Sequence, residues 1–191
     1  MYFPRKFVLL TLVLSFLSAI AVAESDKYAA ALKRFQDSAT VQPFLKSAYG
    51  YALFPTAGKG GLGIGAAYGS GQVYSGGKLV GKSKLFKLSW GLQAGGQAYS
   101  QIVFFQDKRA FEEFTAGSFE FDATASAVAI TAGVQAQAGT KGTSAGTSAG
   151  PNTAKQLGGN YVKGYAVFTH AIGGLMYEAA IAGQKFTYKS L

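Results

Sequence analysis

The spacing of apolar residues changes near residue 50. From 24 to 50, Tyr28, Ala31, Leu32, Phe35 and Ala39 recur at helical spacing, with Lys27, Lys33, Arg34 and Asp37 on the opposite side. That pattern predicts an amphipathic helix with Ser25 as its N-cap. A second short helix is predicted from Thr40, with Pro43 in its first turn and Gly50 as its stop. From Tyr51 onward the period is two. In GLGIGAAYGSGQVY, Leu62, Ile64, Ala66, Tyr68 and Tyr74 share one face, and Gly61, Gly63, Gly65, Gly69 and Gly71 share the other. A strand with such a bare face admits another backbone at close range. Ser75-Gly76-Gly77-Lys78 predicts a hairpin turn. Beyond it, Phe86, Leu88, Trp90, Leu92, Ala94 and Ala98 hold one phase, while Lys87, Ser89, Gln93, Gln97 and Gln101 hold the other. This alternation predicts half-buried antiparallel sheet, bent or bulged at Gly95-Gly96.

The stretch 107–116 predicts one short internal helix, with Phe111 and Phe114 inward and Gly117 as its stop. Phe119, Phe121, Ala123 and Ala125 then alternate against Glu120, Asp122 and Thr124. Near Val128 the phase flips, which calls for a bulge or a second strand. Residues 139–159 are of low complexity, with TSAG doubled, and predict a flexible loop. Sheet resumes at YVKGYAVFTH and continues through GLMYEAAIAGQKFTY, where Leu175, Tyr177, Ala179 and Ile181 share a face.

Composition adds the compartment. MYFPRK is a short basic start, an apolar run of about 16 residues follows, and Ala21-Val22-Ala23 precedes polar Glu24. The expected reading is a secretory signal peptide over 1–23, with an uncleaved membrane anchor as its alternative. The protein is then exported, to a periplasm or cell envelope, with 24–191 as a single domain. There is no cysteine among the 191 residues, so disulfides, thiol catalysis and thiolate metal sites are excluded. Lysine and arginine outnumber the acids 18 to 9, and without Arg5 and Lys6 the balance is near +7. An exported basic domain meets anionic lipid headgroups rather than nucleic acid. The same lysines could equally serve only to keep a glycine-rich surface soluble.

Two stretches imitate nucleotide-binding motifs. GGKLVGKS (76–83) fits the P-loop pattern and GKGGLG (58–63) fits the dinucleotide pattern. A P-loop needs a buried strand delivering its glycines to a helix N-terminus. Here KLFKLSW follows with period two, and no βαβ unit follows GKGGLG. Both are read as strand and hairpin. Catalysis has little material: His170 is the sole histidine, and the acids Glu120, Asp122 and Glu178 are scattered. No enzyme activity, cofactor or metal is expected.

AYGYALFPTAGKGGLGIGAAYGSGQVY (48–74), WGLQAGGQ (90–97), IVFFQDKRAFEEF (102–114), FDATASAVAITAG (121–133) and YAVFTHAIGGLMYEAAIAG (165–183) together resemble the SYLF domain family, the actin-binding, lipid-binding domain of yeast endocytic proteins. Within the first stretch the family's positions are Ala48, Gly50, Ala52, Phe54, Pro55, Gly69 and Gly71. The resemblance implies binding of phosphoinositides and other anionic lipids, and in some members actin, without chemistry. Actin binding is not carried over to an exported chain. The departures are a signal peptide ahead of a modest helix, Ala132-Gly133 at a glycine-proline position, and the 139–160 loop.

The fold expected is α+β: a curved antiparallel β-sheet or barrel-like sandwich with an N-terminal helical segment and one short internal helix. The candidate lipid-binding residues are Lys59, Lys78, Lys82, Lys84 and Lys87 with Trp90 beside them, and Lys33 and Arg34 on the first helix. The alternative for the hairpin lysines is protection of an edge strand from aggregation. Lys84 and Lys87 have opposite strand parity, so the cluster cannot share one face. Two other readings stay open, a small outer-membrane β-barrel and a structural envelope protein.

Overall fold

The computed structural model describes residues 24–121, 128–130 and 161–191, with side chains described outside 90–93, 121, 128–130 and 174–182. The elements are α1 (24–36), α2 (Gln42–Ser47), β1 (Gly50–Ser75), β2 (Lys78–Phe105), α3 (Lys108–Thr115), β3 (Ser118–Phe121), β4 (Val128–Ile130) and β5 (Tyr165–Ser190). The sheet order is β1-β2-β5-β3, antiparallel throughout, and β4 pairs parallel to β5. The expected α+β architecture is the one observed. The phase flip near Val128 and the 139–159 loop fall largely outside the described residues.

The helices follow their sequence signals with small shifts. Tyr28, Ala31 and Phe35 are the buried stripe of α1, but Ala39 is exposed beyond its end. Residue 24 is already helical, so Ser25 lies inside the helix and does not cap it. Pro43 sits in the first turn of α2, which stops at Ser47, short of Gly50. Asp107 caps α3, its Oδ1 accepting from the Ala110 N–H at 2.8 Å, and Phe114 is buried. Gly117 follows with φ +115, a left-handed conformation that ends the helix.

The three long strands, β1, β2 and β5, have 26, 28 and 26 residues. Straight, a strand of that length would span about 86 Å, far too long for a domain of this size. They bend together instead. A Cβ on Gly61 would lie 2.5 Å from Gly65 Cα, Gly63 between them has φ +71, and Gly95 opposite Gly61 has φ +118. The register shifts between Leu62 and Ile64. The bend divides the sheet into a base limb (50–57, 99–105, 165–171) and a tip limb (65–75, 78–89, 183–190).

The limbs curl toward each other around an inner core. Phe54, Val103, Phe105 and Val167 enter it from the base limb, Ala67, Val73, Leu85 and Phe186 from the tip limb, and Phe114 from α3. They approach closely at Gly71, where a Cβ would lie 2.5 Å from the Phe54 ring and 2.8 Å from the Leu53 carbonyl. This is the close approach that the bare glycine face predicts. Gln101 Nε2 donates to Gln184 Oε1 at 3.0 Å across the same core, so a buried amide pair ties one limb to the other. An outer core lies on the far face of the base limb, where Phe35, Val41 and Phe44 of the helical segment cover Leu53, Ile102, Phe104 and Phe168. Among the described residues, the core runs from Tyr28 to Phe186.

Outside its core residues Val73, Leu85 and Phe186, the tip limb turns small residues inward and leaves large ones exposed. Ser83, Leu85 and Ser89 face inward, while Phe86 and Leu88 face out. Glycine stands in the inward phase where the two backbones meet, as at Gly69 and Gly71, because a side chain there would clash.

Candidate functional site

The tip limb begins at a two-residue turn. Ser75 pairs with Lys78, and Gly76 and Gly77 have φ +56 and +75. Both positive values suit the tight hairpin turn that matches strand twist. Lys82 and Ser83 then lie inside β2, and GKGGLG lies inside β1, so neither nucleotide motif meets a helix N-terminus.

The outer surface of the tip limb is built in cross-strand rows. Lys82 lies between Gln72 and Lys189, and Lys84 between Ser70 and Thr187. Phe86 lies between Tyr68 and Lys185, and Leu88 between Ala66 and Gly183. Tyr68 and Phe86 are in ring contact at 5.1 Å and both stay exposed. Lys185 Nζ is 2.8 Å from Glu120 Oε1 on β3. Lys82, Lys84, Lys185 and Lys189 are all exposed. Toward the bend the surface turns apolar, with Leu88 at 52%, Ile64 at 63% and Leu62 at 84% exposure.

The candidate lysines separate by strand parity. Lys82 and Lys84 share the outer surface, and Lys78 is exposed at the turn. Lys87 is half-buried and has the inward phase of Ser83 and Leu85. Lys59 is buried, at 9% exposure. The side chain of Trp90 lies outside the described residues; its backbone pairs with Ile64 and Ile181. On α1, Lys33 pairs with Asp37 at 3.1 Å, and Arg34 donates to Ser100 Oγ at 3.0 Å, holding the helix to the base limb. Lys185 and Lys189 belong to the face and were not singled out. Their alternation with Phe186 and Tyr188 marks them as outward, but no local signal says that β5 runs beside β2.

Beside Lys82 a groove of about 580 Å³ runs between α1 and the hairpin, lined by Tyr28, Leu32, Tyr51, Tyr74 and Leu79. Burial, aided by the neighbouring Glu24, pushes the Tyr28 phenol up to about 12. Burial, aided by Tyr74 stacked at 4.9 Å, pushes the Tyr51 phenol up to about 12. Away from the face, Tyr165 places its hydroxyl 2.9 Å from Glu113 Oε2. The hydrogen bond from Arg109, then that from Tyr165, lowers the Glu113 carboxyl below the usual range. His170 is half-buried on β5 opposite Ser100. Among the described residues no group of three or more His, Cys, Asp or Glu could hold a metal ion, and no helix is long and apolar enough to cross a membrane.

These features define an α+β domain of curled antiparallel sheet, bearing a basic outer surface that grades into exposed aromatic and aliphatic residues. Residues 86–187 match the family model described as Ysc84, Las17-binding protein actin regulator. The match covers more than half of the chain, and the chain belongs to this family, the SYLF domain family. It runs from Phe86 on the outer surface to Thr187 on the neighbouring strand. The glycine-rich 48–74 segment lies upstream of the matched residues. No curated protein and no solved structure matches the chain.

Proposed function

We propose that the protein is a non-enzymatic binder of anionic lipid surfaces, exported to the periplasm or cell envelope. The observation that carries this reading is the convergence of Lys82 and Lys84 of β2 with Lys185 and Lys189 of β5 on one exposed surface, beside exposed Tyr68 and Phe86. Basic residues near an anionic bilayer each contribute about 1 kcal/mol, and aromatic rings favour the headgroup boundary. A row that served only to keep the sheet soluble would have no need of exposed leucine, isoleucine and phenylalanine beside it. The family's description names Las17 binding and actin regulation. An exported chain does not meet cytoskeletal actin, and actin is not part of this reading. The covering of the base limb by α1 and α2 favours a peripheral domain over a spanning β-barrel, whose outer strand faces meet lipid.

Liposome flotation tests the reading, with the full chain and with the form starting at Glu24, which carries both cores. Binding is expected to vesicles containing phosphatidylserine, to weaken with salt, and to be absent from phosphatidylcholine alone. Lys82→Gln and Lys84→Gln are each expected to weaken it about fivefold. Equal flotation on neutral vesicles, or no effect of either substitution, overturns the reading. Recovery from membranes only with detergent supports the β-barrel.

A further inference from the structure

The outer surface of the tip limb is ordered along the strands. At the bend are Leu62 and Ile64, the most exposed large apolar side chains on it, followed by Leu88, then Tyr68 with Phe86, then Lys84, then Lys82 with Lys189. Successive rows are two residues apart, or about 7 Å. The aromatic row therefore lies about 13 Å from the Ile64 row, and the Lys84 row about 20 Å from it. A bilayer presents the same sequence along its normal. Acyl chains fill about 15 Å of each leaflet, aromatic side chains favour the boundary, and phosphates lie outside it.

We propose that the bend enters the acyl region of an anionic bilayer end-on, with Leu62 and Ile64 leading. Tyr68 and Phe86, with Lys185 in the same row, then sit at the headgroup boundary and Lys84 at the level of the phosphates. This rests on the lipid-binding reading and adds an orientation to it: the strands stand along the membrane normal, where flat docking would lay them in its plane. Charge complementarity selects the occupant, because a second copy would bring its own lysines to the same surface. The backbone limits the depth. β1 is an edge strand in the described sheet, and unpaired amides and carbonyls are costly among acyl chains. Insertion therefore stops within one leaflet, where the Tyr68–Phe86 row reaches the headgroup boundary and the Ile64 row lies about 13 Å below it.

The absence of cysteine makes labelling specific. Leu62→Cys and, as the aqueous reference, Lys78→Cys at the far hairpin turn are each labelled with an environment-sensitive fluorophore. Phosphatidylserine-containing vesicles are expected to shift the label at 62 to the blue. Lipids brominated near the methyl end should quench it more than lipids brominated near the carbonyl end, and the label at 78 should stay aqueous. Leu62→Glu is expected to lower vesicle affinity about tenfold without changing the melting temperature, since the side chain contributes to neither core. Flotation with an aqueous label at 62 overturns end-on insertion and leaves lipid binding standing. Failure to float overturns both. A label at 62 that is shielded without vesicles, more so at higher protein concentration, shows that a second copy covers the bend and overturns the proposal.

Discussion

In the base limb, Ala52, Leu53 and Phe54 are buried in succession, and so are Ile102, Val103, Phe104 and Phe105. In the tip limb of the same strands burial alternates, with Ser83, Leu85 and Ser89 inside and Lys84, Phe86 and Leu88 outside. The chemistry of each limb is set by what covers it. The base limb has a partner on both faces, the helical segment on one and the tip limb on the other, so runs of successive apolar residues are buried there. The tip limb is packed on the inside, and on the outside only its hairpin end, at Tyr74, meets the helix-covered core. Its other outer positions are released from packing, and there the chain places lysine, tyrosine, phenylalanine and leucine in ordered rows. One set of hydrogen-bonded strands thus supplies a packed scaffold at one end and an exposed basic and aromatic surface at the other.

Substitutions sharpen this contrast. Phe104→Ala removes a fully buried ring that packs against Phe44 and Phe168, and is expected to cost about 3–5 kcal/mol in urea unfolding. Phe86→Ala on the outer surface is expected to change stability by no more than about 0.5 kcal/mol. A comparable loss at both positions would mean that the tip limb is packed on both faces as well. Gly71→Ala pushes a methyl group into Phe54 and the Leu53 carbonyl, and a cost of about 1–3 kcal/mol is expected. Gly58→Ala meets nothing within 4 Å and serves as its control. If the two behave alike, the limbs do not meet at Gly71. Asp107→Ala removes the cap of α3 and is expected to cost about 1 kcal/mol, read from the same unfolding curves.

The buried phenols make stability depend on pH on the alkaline side. Tyr28 and Tyr51 hold their protons up to about 12 in the folded state, against 10.0 for an ordinary tyrosine phenol. The folded state thus binds these protons more tightly than the unfolded one. Their contribution to stability is complete below pH 10 and falls as the pH rises from 10 through 12. Thermal melts across that window are expected to show a declining midpoint, and Tyr51→Phe should make the decline shallower. An unchanged slope in the variant would show that this phenol is solvated, and that the helix-covered face is more open than the contacts of Tyr51 with Tyr74 and Phe104 indicate.

Much of the fold was legible because it rests on local signals. Gly76-Gly77 marks the hairpin, Asp107 and Gly117 bracket α3, and period two marks the strands. The site was legible only in part. Lys82 and Lys84 stand together as their spacing predicts. Lys59 and Arg34, chosen for charge, instead lie buried and bonded to Ser100 respectively. Charge along a chain does not report which face a strand turns inward. Lys185 and Lys189 were passed over because they lie about a hundred residues from Lys82 and Lys84, and only pairing of β5 with β2 brings them there.

By itself, the sequence determined which positions share a strand face, since side chains alternate wherever the backbone is extended. It also determined where the backbone could meet itself, since only glycine leaves that space. It did not determine which face would be inside. A strand of alternating glycine and large apolar residues can bury either side, and period two is silent on the choice. The tertiary structure decided it. Bringing Gly71 against Phe54 buries both limbs' apolar side chains around one core, and that approach excludes Tyr68, Phe86 and Leu88 to the surface.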